Sequence, residues 1–320
     1  MNSLAVEGMD NGKLPLIFRD IFVLSLLFAL PPAGLLLTPA ALYLHSRHGL
    51  FTGKRIVLCA AVFAVPLALW LSSLSALLLS ATFFVAGIVL VRSASRGDGP
   101  VLSLGKAALT LAGLWAALLI AASLLTGQNI YQTLVVFLQS ALREAAQYPA
   151  GAASAETQAM VTEAINQAAR MLPVILPAML LLPALLAPLA AILLCNAVES
   201  LRGLPRRWID FRLWRLPDML VLAAIILVAG YRFLDGLPGF VAINALILVV
   251  VVYAIQGLAT VKFFFDSRRL PMVVQLVLIF LVVSEPYSLL ALAVLGLIEV
   301  WADFRRLGRR KPRINHDNKE

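Results

Sequence analysis

The sequence predicts an all-α bundle that crosses a lipid bilayer about nine or ten times. Three observations carry this: an excess of apolar residues, their grouping into helix-length runs, and basic residues that recur at alternate connections. Of 320 residues, 61% are hydrophobic and 13% charged, with a mean hydropathy of +0.92. An ordinary soluble domain is about 45–50% apolar and about 25% charged. No soluble fold of this size has the interior to hide so much apolar surface. A membrane β-barrel needs alternation at every second position, whereas Val221–Ala229 and Val273–Val283 are almost unbroken apolar runs. Such runs satisfy their own backbone hydrogen bonds in hydrocarbon only as helices.

A span takes about 20 mostly apolar residues. Residues 16–45 hold one or two apolar elements split at Pro31-Pro32. They form either one helix kinked at the prolines or a hairpin with a short second leg. Residues 55–71 and 74–92 follow, joined at Ser72-Ser73, and then 105–126, 171–198, 217–234, 240–262, 271–284 and 287–302. The last two flank a break at Ser284-Glu285-Pro286. On this basis the chain divides into N-terminal membrane helices (1–126), an outer-side helical insertion (127–170), C-terminal membrane helices (171–304) and a basic tail (305–320).

The insertion reads as two weakly amphipathic helices. Ile130, Leu134, Phe137, Leu138 and Ala141 share one face, with Gln132, Gln139 and Arg143 off it. Tyr148-Pro149-Ala150-Gly151 ends the first helix. The second starts near Ser154, an N-cap residue, and spaces Val161, Ile165, Ala168 and Leu172 along one side. It either links two spans or covers an outer opening.

Lys and Arg in short loops mark the cytoplasmic side. Segments 45–55, 92–106, 199–216, 262–270 and the tail from 303 hold 21 of the 26 basic residues. The connections between them are nearly free of positive charge. This alternation predicts a bacterial inner-membrane protein with a cytoplasmic C-terminus, and it accounts for the net charge of +9. The lipid bilayer is the expected partner, and no nucleic acid is, since the cations lie beside helix ends where anionic lipid attracts them. No cleavable signal peptide is expected, because Glu7, Asp10, Lys13, Arg19 and Asp20 interrupt the first 20 residues.

Polar groups inside apolar runs are costly and mark candidate sites. Asn196, Asn244 and Gln256 are the candidate ligand or glue residues, while Glu199, Glu285 and Glu299 fall near span ends, where they are expected to be solvated. Asn244 and Gln256 are twelve residues apart on one helix and point about 120° apart, so they do not form one stripe. The 171–198 helix carries Pro173, Pro177, Pro183 and Pro188, each of which removes an intrahelical hydrogen bond. Ala108, Ala112 and Ala116 recur every fourth position and predict a small-residue packing face. Cys59 and Cys195 read as buried, inert thiols, and His45, His48 and His316 form no metal-ligand pattern. Catalytic signatures are missing. No enzyme activity, metal or cofactor is expected.

The second half carries recognisable words: Phe211-Arg212-Leu213-Trp214-Arg215-Leu216-Pro217, then Asn244, then Gln256-Gly257-Leu258-Ala259. The chain closes on Leu295-Gly296-Leu297-Ile298-Glu299-Val300-Trp301-Ala302-Asp303-Phe304-Arg305. This order resembles the YybS-like family of bacterial membrane proteins, a domain of unknown function. Trp214, Pro217, Gly257, Gly296, Glu299, Asp303 and Arg305 are the motif positions, with Glu299 where the family more often shows Asp. The N-terminal half is similar to the substrate-binding subunits of energy-coupling-factor vitamin transporters. The resemblance implies a hairpin at 16–45, a small bound solute and other membrane subunits or an ATPase module as partners. Two functions stay open: a solute-binding transport component, or a scaffold that organises envelope proteins without transport.

Overall fold

The structure, a computed structural model, describes residues 14–29, 36–71, 74–147, 155–203 and 206–305. Among them the regular structure is all helix, with α1 (Leu14–Ala29), α2 (Leu37–Leu71), α3 (Leu74–Ser95), α4 (Pro100–Thr126), α5 (Ile130–Gln147) and α6 (Ala155–Leu201). A 3-10 turn at Phe211–Leu213 precedes α7 (Met219–Phe233), α8 (Leu237–Ser267), α9 (Met272–Ser284) and α10 (Pro286–Ala302). Pro31-Pro32, Ser72-Ser73, Tyr148–Gly151, Ser154 and His316 lie outside the described residues.

Among the described residues, four helical stretches are long and apolar enough to cross a membrane: Leu77–Ser95, Pro100–Thr126, Thr157–Leu201 and Leu237–Ser267. The pair Met272–Val282 and Tyr287–Ala302, bent by 108° at the expected break, makes five if counted as one span. The polytopic helical class therefore holds, although nine or ten full crossings do not emerge from the described residues. Several apolar segments form helices shorter than the bilayer: α7 has 15 residues and α9 has 13, or about 20 Å of rise for α9.

At the N-terminus α1 and α2 are separate helices packed on each other, and Ser25 Oγ donates to the Ala60 carbonyl at 3.1 Å. The expected second leg does not end at His45. Helix α2 runs on through the basic 45–55 segment, which is helix and not loop.

Two compact units form. The first comprises residues up to Tyr131 together with Pro183–Trp208; the second comprises Gln132–Leu182 with Ile209 onward. Helix α6 contributes its C-terminal part to the first and its N-terminal part to the second. With 47 residues it is about 70 Å long, against about 30 Å of hydrocarbon. The outer helix expected to end near 170 and the span expected from 171 are thus assigned to one continuous helix.

In the first unit α1, α2, α3 and α4 pack in sequence order. Gly87 of α3 lies where a Cβ would meet the Ala41 side chain and the Thr38 carbonyl, and Thr38 Oγ1 donates to the Phe83 carbonyl at 2.9 Å. The absence of a side chain at Gly87 is what lets α2 come so close. The buried stripe of α4 is Pro100, Ser103, Leu104, Ala107 and Leu111. It lies one position round from the expected Ala108, Ala112 and Ala116 face. Cys59, expected to be buried, is exposed on α2; a thiol facing lipid needs no packing partner.

In the second unit α8 packs most extensively against α10 and then α7. Gly257 faces the Leu292 carbonyl and Gly296 faces the Tyr253 carbonyl, each so closely that a Cβ would overlap the oxygen. The register is antiparallel and reciprocal. Backbone-to-backbone contact of this kind supplies dispersion and Cα–H···O contacts that lipid would not replace.

Candidate functional site

The prolines of α6 leave backbone groups that lipid cannot satisfy, and at Pro173 a neighbouring side chain answers one of them. Pro173 has no N–H, so the Ala169 carbonyl lacks its usual helical donor. Gln139 of α5 supplies one, its Nε2 donating at 2.8 Å. Sequence periodicity placed Gln139 off the packed face. In the structure Val135 is the most buried residue of α5, while Phe137 and Ala141 are exposed, so the face is rotated by about one residue.

One turn further on, Asn244 of α8 reaches the next disturbance. Its Oδ1 accepts from the Ala178 N–H at 2.8 Å, and its Nδ2 donates to the carbonyls of Val174 and Phe240, both at 2.8 Å. Ala178 N–H and Val174 C=O are the i, i−4 pair beside Pro177, and the amide bridges them. Asn244 is 7% exposed and its bonding capacity goes to its own chain.

The motif residues gather at a second place. Arg305 and Glu299 form a buried ion pair, Nε to Oε1 at 2.8 Å, with both side chains almost wholly out of solvent. The Glu299 carboxylate also accepts from the Phe304 N–H at 3.1 Å and the Arg305 N–H at 3.4 Å, closing the end of α10. Arg305 donates onward to the carbonyls of Arg212 (2.7 Å) and Trp214 (2.9 Å). Gln256, in the amide orientation that satisfies both neighbours, donates to the Trp214 carbonyl and accepts from Arg305 Nη2 at 2.7 Å. A guanidinium has five donors in a planar fork, and here they tie three chain segments together. Glu299, expected to be solvated at a helix end, is 3% exposed.

The profile of a family described as predicted membrane protein (DUF2232) matches residues 18–300. The chain belongs to this family. No curated protein and no solved structure matches it. The DUF2232 span includes Trp214, Pro217, Gly257, Gly296 and Glu299, while Asp303 and Arg305 lie just past its end. Asp303 is the left-handed residue (φ 43°) that ends α10, and Pro217 opens the turn into α7 by accepting from Leu220 N–H at 3.0 Å. The motif positions thus fall around α8 and α10. Asn244 lies about 18 Å further along α8 from Gln256 at the helical rise, and the two do not share a site.

Asn196 belongs to the first unit and pairs with the Trp208 backbone, Nδ2 to carbonyl at 3.1 Å and N–H to Oδ1 at 3.4 Å. The Trp208 indole donates to Ser103 Oγ at 3.0 Å, and Ser103 bonds Ser93 at 2.9 Å. Ser93 in turn donates to Asp98. In the α3–α4 turn, the Lys106 ammonium and the Ser93 hydroxyl hold the Asp98 carboxyl below the usual carboxylate range. Glu199, also expected to be solvated, is 7% exposed and paired with Arg207 at 2.6 Å.

Beside this arrangement lies a cleft of about 310 Å³ between α2 and the C-terminal turns of α6. It is lined by Leu36, Pro39, Ala40, Tyr43, Leu194, Cys195, Val198, Glu199 and Arg202. A neighbouring cleft of about 220 Å³ between α1 and α2 is lined by Arg19, Asp20, Val23, Leu24, Leu27, Ala40 and Tyr43. Mostly apolar walls with a few charged groups at one end are the pattern of small-molecule sites, which begin at about 300 Å³. Sequence reading missed this place. Its signal was present, since Tyr43 and Arg202 each end an apolar run, but nothing local says that they meet.

Proposed function

We propose that the chain is the solute-binding component of a membrane transport assembly in a bacterial inner membrane, with its C-terminus in the cytoplasm. It performs no catalysis and draws energy from partner subunits, an ATPase module among them. The observation that carries this reading is the larger cleft, whose apolar walls end at Tyr43, Glu199 and Arg202. The basic segments 199–216 and 262–270 and the tail support the orientation. The kinship with YybS-like proteins, and the likeness of the N-terminal half to vitamin-binding subunits, belong to the same proposal.

A second reading, a non-transporting scaffold, is favoured by a different observation. Asn196, Asn244 and Gln256 all bond their own chain, and none of them lines either of the two clefts.

Native mass spectrometry of gently purified protein separates the two. A transport component retains a small molecule or brings an ATPase subunit, and Leu194→Trp, which fills the cleft, removes the small molecule. Protein that carries neither, yet co-purifies with other envelope proteins, overturns the transport reading in favour of the scaffold.

A further inference from the structure

The two clefts of the first unit share Ala40 and Tyr43, and two guanidinium groups contact the tyrosine. Arg19 Nη2 donates to the Tyr43 hydroxyl at 3.4 Å. The Arg202 Cζ lies 5.6 Å from the centre of its ring, within cation–π reach. The local charges do not balance. Arg19 pairs with Asp20 at 2.9 Å, and Glu199 is taken by Arg207 at 2.6 Å. Arg202 has no carboxylate partner among the described residues, so it is the surplus cation of the group.

We infer that this place binds an anionic two-chain phospholipid, its phosphate beside Arg202 and the Tyr43 hydroxyl and its chains in the two clefts. Each part of the ligand answers a feature. The charge answers Arg202, and Arg19 adds a second cation at the tyrosine hydroxyl. The two chains answer two mostly apolar clefts that share Ala40 and Tyr43, with Val23, Leu24 and Leu27 lining one and Leu36, Leu194 and Val198 lining the other. Basic pockets between membrane helices recognise anionic lipid in this manner. The inference names the ligand class of the cleft and rests on the reading of that cleft as a binding site.

Delipidated protein in detergent is titrated with phosphatidylglycerol, phosphatidylcholine or inorganic phosphate, and bound adducts are counted by native mass spectrometry. One cation beside a headgroup contributes about fivefold in affinity, so wild type should prefer phosphatidylglycerol by at least that factor. Arg202→Gln should bring the preference close to one, whereas Arg232→Gln, an exposed arginine of α7, should leave it unchanged. Leu194→Trp should lower the binding of both lipids. Equal loss in Arg202→Gln and Arg232→Gln would reduce the effect to general surface charge and overturn the site. Displacement of the lipid by inorganic phosphate would make the ligand a free anion. A neutral solute expelled by Leu194→Trp but indifferent to Arg202→Gln would keep the cleft as a site and refute the lipid. No selective adduct of any kind would refute both.

Discussion

Asn244 and the Glu299–Arg305 pair show how differently two buried polar groups load the same membrane fold. The groups that Asn244 bridges, Ala178 N–H and Val174 C=O, are partners in an uninterrupted helix. Asn244→Leu lets them approach each other, so the loss should resemble that of a typical interhelical hydrogen bond, about 0.6 and at most about 1.7 kcal/mol. Thermal unfolding in detergent checks this; a loss several times larger would mean that Pro177 holds α6 open. Arg305→Met is different in kind. It leaves the Glu299 carboxylate buried with only backbone N–H donors, and removing one partner of a buried pair costs about 3–5 kcal/mol. The double variant Arg305→Met with Glu299→Gln should recover much of that loss, because no uncompensated charge remains. If the double variant is as unstable as the sum of the singles, the pair is not coupled.

For the elements, glycine placement is the deciding quantity. Gly257 and Gly296 set the distance between α8 and α10, and a Cβ on either meets a carbonyl oxygen of the other helix. Gly257→Ala should therefore cost about 1–3 kcal/mol, the usual range for overpacking. Gly105 of α4 has open space around its Cβ position, so Gly105→Ala should stabilise by about 0.4–1 kcal/mol through the unfolded chain alone. Urea or heat titrations of the two variants in one detergent give the comparison, and equal effects would remove the close contact from the account. The helices themselves were legible in the sequence. Apolar length placed α3, α4, α7 and α8, and the Ser284-Glu285-Pro286 break separated α9 from α10. What local pattern missed was continuity: α2 passes through a basic segment and α6 through four prolines. Hydropathy reports where lipid is tolerated, and helix propagation depends on hydrogen bonds that neighbours such as Gln139 complete.

At the level of the whole molecule, the proposed orientation rests on the alternation of basic and neutral connections, with the basic 45–55 segment lying inside α2. Reporter fusions near residue 150 and at residue 320 should report opposite sides of the membrane, and the same side for both would dismantle the proposed orientation.

Composition, apolar length and charge alternation are one-dimensional signals, and from them alone follow the membrane class, the helical content and most helix positions. Motif resemblance added which residues of the second half belong together, among them Trp214, Gly257, Gly296, Glu299 and Arg305. The tertiary structure decided their partners. It joined Asn244 to the turn at Pro177, 66 and 70 residues away in sequence at its two contacts, and closed Arg305 onto Arg212 and Trp214. It also brought Arg19 to the hydroxyl and Arg202 to the ring of Tyr43. These pairings depend on which helix faces approach one another, and a polar residue in an apolar run announces only that it needs a partner.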